Sequence, residues 1–127
     1  MALVAVVDDD DDLRTLMTLR LTVSGHEVIS ASDGQQGLDV IRRRRPDLVV
    51  LDWMMPRKTG IEVCRELRSA AEFATVPILV VTSRVSREDL SVAEDAGASG
   101  YLTKPFKLGD FLDAVGRLIG PAPVGAT

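Results

Sequence analysis

Apolar residues along this chain follow two alternating rhythms. Five short runs, Leu3–Val7, Glu27–Ala31, Asp47–Leu51, Pro77–Val81 and Gly100–Thr103, alternate with longer stretches where apolar residues recur every three or four positions. The first, third and fourth runs are nearly continuous in Val, Leu and Ile, as strands covered on both faces of a parallel sheet should be. The second and fifth are more mixed and read as edge strands. Between the runs, Leu13, Leu16, Met17 and Leu21 repeat at helical intervals, as do Leu38 with Ile41 and Ile61 with Cys64 and Leu67. The last helix reads Leu108, Phe111, Leu112, Val115, Leu118 and Ile119, with a polar opposite face.

Capping residues mark the helix ends. Asp11 or Asp12 is placed to cap the first helix, Asp33-Gly34 opens the second and Pro46 stops it. Gly97 closes the fourth, and Gly120-Pro121 ends the fifth. Strands and helices alternating through short links predict right-handed βαβ units on one parallel sheet, an α/β fold. At 127 residues the chain fits one domain. We expect that domain over residues 1–120, with 121–127 as a tail or the start of a linker.

Composition narrows the function by exclusion. A formal net charge of -4 gives no electrostatic footprint for nucleic acid or an anionic membrane. No apolar run reaches membrane-spanning length, and Met1–Val7 lacks the basic flank of a signal peptide, so a cytoplasmic location is expected. The single cysteine, Cys64, excludes an internal disulfide and reads as a small packing residue. His26 reads as a solvated loop residue, and Arg42–Arg45 as the solvated basic end of a helix.

The chemistry gathers where strands end. In an open parallel sheet, ligands bind beyond the carboxyl ends of the strands. Asp8 and Asp9 follow the first strand, Asp52 the third, Thr82 and Ser83 the fourth, and Lys104-Pro105 the fifth. Two carboxylates at about 4 Å repel by roughly 4 kcal/mol at an effective dielectric near 20. Three together therefore call for a cation or a raised pKa, and one lysine answers only part of that. Hard oxygen ligands favour Mg²⁺, which commonly bridges carboxylates to phosphate oxygens.

Four segments carry a resemblance: Val6-Val7-Asp8-Asp9, Leu51-Asp52-Trp53-Met54-Met55-Pro56, Val80-Val81-Thr82-Ser83, and Gly97 through Phe106. In that order, at those strand ends, the chain closely resembles the two-component response-regulator receiver family over about its whole length. The resemblance implies a flavodoxin-like, doubly wound, five-stranded parallel sheet of order 2-1-3-4-5 with five helices. It implies that Asp52 is the phosphoacceptor, phosphorylated from a histidine kinase or phosphotransfer protein. Asp8, Asp9, Asp52 and the backbone carbonyl of Met54 would hold Mg²⁺. Lys104 and Thr82 would contact phosphoryl oxygens, Ser83 beside them would be a cofactor-binding residue, and Tyr101 would move inward as Thr82 shifts. The ordinary alternatives are a plain strand residue for Thr82 and a half-packed edge residue for Tyr101. Asp10 would be solvated, and a cis Lys104–Pro105 bond would aim the ammonium inward.

The resemblance also implies a downstream protein target or output domain. It adds that residues at the Met54 and Arg84 positions tune the lifetime of the phosphate, here expected to be minutes or longer. Ser99 and Gly100 stand where one large subgroup carries an acidic pair, which argues for a monomer or weak dimer. Three rival functions fit the residues less well. An aspartate-dependent phosphatase needs a general acid two residues after its nucleophile, where this chain has Met54. A flavin-binding module would not place five aspartates against a flavin phosphate. A non-phosphorylated pseudo-receiver is disfavoured because no site residue is missing.

Overall fold

The computed structural model describes residues 2–120. Five strands, β1 (Leu3–Val7), β2 (Glu27–Ala31), β3 (Leu48–Asp52), β4 (Ile78–Thr82) and β5 (Gly100–Thr103), form one parallel sheet in the order β2-β1-β3-β4-β5. Five helices separate and follow them: α1 (Asp11–Val23), α2 (Gly34–Arg44), α3 (Gly60–Ser69), α4 (Arg87–Ala96) and α5 (Leu108–Ile119). The expected order and both edge strands are therefore found. The expected tail at 121–127 lies outside the described residues.

Alternation within each strand builds two apolar layers. Val4, Val6, Leu48, Val50, Leu79 and Val81 pack with Met17, Leu21, Phe111 and Val115 under α1 and α5. Ala5, Val7, Val49, Leu51, Ile78 and Val80 pack with Leu38, Ile41, Ile61, Cys64 and Leu67 on the other face. A strand buried on both faces has no polar side to show, which is why β1, β3 and β4 read as continuous apolar runs.

Several sequence readings need correction. β3 and β4 begin and end one residue later than expected, so Asp52 and Thr82 are the last paired residues of their strands, opposite Val81 and Thr103. Asp10, expected to be solvated, is the cap of α1: its backbone is extended and its carboxylate accepts the Leu13 N–H at 3.1 Å. Asp11 and Asp12 already lie in the first helical turn, where carboxylates favour the dipole but cannot cap. A short 3₁₀ turn, Ala71–Phe73, follows α3 and had no sequence signal. His26 is partly buried, and its Nδ1 accepts the Ala2 N–H at 3.2 Å. The Arg42–Arg45 run stays exposed but is spoken for, with Arg42, Arg44 and Arg45 paired to Glu66, Glu27 and Glu72.

Candidate functional site

The carboxyl ends of β1 and β3 bring three acids together. Oxygen atoms of Asp8, Asp9 and Asp52 all lie within 4.8 Å of one another. Asp8 is fully buried, Asp52 is 6% exposed and Asp9 faces solvent. The group is thus a pocket with one open side rather than a surface patch.

Lys104, at the start of the loop after β5, reaches across the sheet to both buried acids. Its Nζ lies 3.1 Å from Asp8 and 3.3 Å from Asp52. The Lys104–Pro105 bond is cis, and the Lys104 N–H donates to the Thr82 carbonyl at 2.8 Å. Asp8 is further fixed by the Asp10 N–H at 2.9 Å, while Arg14 donates to the Asp8 carbonyl at 2.8 Å. Arg14 had no sequence signal as a support for this site beyond its spacing from Asp11.

Electrostatics match the geometry. Burial and then the charge of Asp8 push the Asp52 carboxyl from its ordinary 3.8 up to about 7, with Lys104 opposing them. Burial alone would lower Lys104, but Asp8 and Asp52 outweigh it and hold the ammonium above its usual range. The site therefore has more negative charge than its single lysine neutralises. A small, hard cation on the three carboxylates would remove that strain, so the donor set fits Mg²⁺ or a similar ion.

Around this centre stand the remaining expected residues. The buried Thr82 hydroxyl accepts the Arg84 N–H at 3.2 Å. The Tyr101 hydroxyl donates to the Arg84 carbonyl, and its ring is half-buried. Ser83 is exposed and, with Asp10, Lys104, Pro105 and Phe106, lines a cavity of about 400 Å³. Met54 follows the acid on the β3–α3 loop, with its side chain exposed. Trp53 is buried beside Asp52 and covered by Arg84, a contact the sequence did not reveal because its two members lie 31 residues apart.

A doubly wound sheet with this acid–lysine cluster at its switch point is the architecture of a phosphoryl-accepting signalling module. Residues 4–116 match the response regulator receiver domain, and the chain belongs to that family. It is 46% identical over 116 residues to the response regulator MprA of Mycobacterium sp. (strain KMS), covering 91% of this chain and 50% of that protein. The chain thus spans about half the length of the curated relatives it matches. Among solved structures, the chemotaxis protein CheY4 of Vibrio cholerae superposes with a TM-score of 0.89 at 33% identity, covering 93% of this chain and 98% of that one. The receiver domain of the sensor histidine kinase PA1611 from Pseudomonas aeruginosa, with magnesium coordinated in its active-site cleft, gives 0.86 at 28% identity, with 94% and 98% covered.

Proposed function

We propose that this chain is the phosphoacceptor of a two-component relay, taking a phosphoryl group on Asp52 from a histidine kinase or phosphotransfer protein. Residues 1–120 would form the receiver and 121–127 a tail or linker start. The observation that carries the reading is the excess carboxylate charge focused between Asp8, Asp9 and Asp52, with one ammonium placed opposite.

Mg²⁺, held by Asp8, Asp9, Asp52 and the Met54 carbonyl, would supply positive charge for the incoming phosphoryl oxygens. An Asp52 carboxylate oxygen attacks the phosphorus of a phosphohistidine. The new O–P bond forms as the P–N bond breaks, and the departing imidazole keeps the electron pair and takes up a proton. Lys104 shifts from Asp52 to a phosphoryl oxygen, where charge is greatest in the transition state. Thr82 reaches another oxygen and leaves the Arg84 N–H, freeing the Tyr101 contact on the same residue. The face formed by α4, β5 and α5 then passes to a second state that a downstream target or output domain reads. Catalysis by the chain is limited to its own phosphorylation and dephosphorylation. No helix among the described residues is long and apolar enough to cross a membrane, which agrees with work in the cytoplasm.

The test is Mg²⁺-dependent labelling by acetyl phosphate. Label on the wild type, absent in EDTA and absent in Asp52→Asn, is the expected result. Label that persists in Asp52→Asn, or no label at all, would sink the reading.

A further inference from the structure

The loop from β3 to α3 carries Asp52 at its start and Met54 near its middle, so its shape sets where the Met54 carbonyl points. Arg57 occupies the apex with φ +72°, and the Lys58 N–H donates to the Pro56 carbonyl at 2.8 Å. That closes a three-residue turn about Arg57, a conformation that is rare and strained for a residue with a side chain. Glycine would adopt the same backbone without that strain. The backbone alone therefore gives no reason for arginine.

Its side chain gives one. Arg57 Nε lies 3.4 Å from Asp33 Oδ2, and Asp33 is only 7% exposed. The other oxygen of Asp33 accepts the Gln36 N–H at 2.8 Å and caps α2. Beneath this pair the backbones touch: a Cβ on Gly34 would lie 2.1 Å from the Lys58 carbonyl oxygen. At the far end of the loop, the Gly60 N–H donates to the Trp53 carbonyl at 2.8 Å. The loop is thus fixed at its closing end, and Arg57 ties its apex to the start of α2.

We infer that Arg57 is a positioning residue for the divalent-cation site, holding the β3–α3 loop against α2 through Asp33 so that the Met54 carbonyl faces the three carboxylates. The inference rests on the proposed reading of that site. Its signature is a split between stability and binding. In Arg57→Gly the left-handed strain disappears, and the lost ion pair is worth little because Arg57 is 73% exposed. The variant should melt no lower than wild type in EDTA. Simple electrostatics predicts tighter Mg²⁺ binding once a nearby cation is removed, whereas loss of positioning predicts weaker binding.

The experiment is calorimetric titration with MgCl₂ of the wild type, Arg57→Gly, Arg57→Lys, Asp33→Asn and the double variant Arg57→Gly/Asp33→Asn. Asparagine caps a helix about as well as aspartate, so Asp33→Asn removes the ion pair and keeps the cap. We expect the dissociation constant to rise about 2- to 5-fold in Arg57→Gly, the most that an exposed ion pair can bias the loop, below the 10- to 100-fold range of groups that orient metal ligands. Arg57→Lys should keep most of the affinity, and the double variant should bind no more weakly than Asp33→Asn alone. Unchanged or tighter binding by Arg57→Gly, with normal wild-type binding, would overturn the role of Arg57 alone. A wild type that binds no Mg²⁺ would overturn the site itself and this inference with it.

Discussion

The guanidinium carbon of Arg84 lies 4.9 Å from the centre of the Trp53 ring, the residue directly after the proposed phosphoacceptor. The same guanidinium bonds Asp89 at 3.0 and 3.1 Å and approaches the Met54 sulfur at 3.8 Å. Hydrogen bonds from Arg84 hold the Asp89 carboxyl below its usual range, so this acid stays charged and keeps the cation in place. Backbone groups of Arg84 also bind the hydroxyls of Thr82 and Tyr101. One residue thus connects the roof of the site to α4 and β5.

That roof should slow water. With Met54 and Arg84 in place we expect the phosphorylated form to last minutes or longer. Arg84→Ala should shorten its life roughly tenfold, equivalent to about 1.4 kcal/mol of barrier. Loss of radiolabel from phosphorylated protein measures it. Decay of the wild type within seconds, or equal rates in both proteins, would remove the shielding role.

Asp52 should make metal-free protein less stable as pH rises. Its folded-state pKa of about 7 stands above the ordinary 3.8, so the folded form binds more protons between those values. Stability from this group is fully present below about pH 4 and is lost as pH rises through 7. At about 1.4 kcal/mol per pH unit, the effect is bounded at about 4 kcal/mol. In EDTA, Asp52→Asn should therefore melt several degrees above wild type at pH 8 and close to it at pH 4.5. Added Mg²⁺ should raise the wild type far more than the variant. Equal melting temperatures at pH 8 would show that the cluster carries no excess charge.

Gly60 stands where the loop returns to β3. A Cβ there would lie 2.2 Å from the Asp52 carbonyl oxygen, a backbone atom that cannot swing aside. Gly60→Ala should cost upward of about 1–3 kcal/mol, the usual range for overpacking. Gly109→Ala, on an exposed turn of α5 with nothing within 4 Å of the added carbon, is the control and should be neutral or slightly stabilising. Denaturant melts of both proteins decide it.

Much of this was legible in the sequence because burial on both faces leaves a plain trace. β1, β3 and β4 could be read from apolar runs, and a parallel sheet then places Asp8, Asp52, Thr82 and Lys104 at one rim without further information. Strand ends were off by one because Asp52 and Thr82 are polar side chains whose backbones still pair, a fact that hydropathy does not record. Asp10 was missed as a cap since five adjacent aspartates look alike until backbone angles choose among them. The Arg84–Trp53–Asp89 and Arg57–Asp33 groups were invisible because each joins side chains distant in the chain.

Lys104 separates two roles that a simple loss-of-function variant would blur. As the ammonium between Asp8 and Asp52, it partly occupies the charge that a divalent ion would use, so the two cations compete. Lys104→Met should then bind Mg²⁺ more tightly than wild type, with a midpoint at lower concentration in a Trp53 emission titration. Yet the same variant lacks the donor proposed to meet charge developing on the phosphoryl oxygens, a loss worth about 10²–10³ in rate where single oxyanion donors have been removed. Acetyl phosphate labelling should accordingly slow by about two orders of magnitude while metal affinity improves. If labelling stays within threefold of wild type, Lys104 serves only to balance buried acids. If Mg²⁺ binding weakens instead, the ammonium is holding the carboxylates in place rather than competing for them.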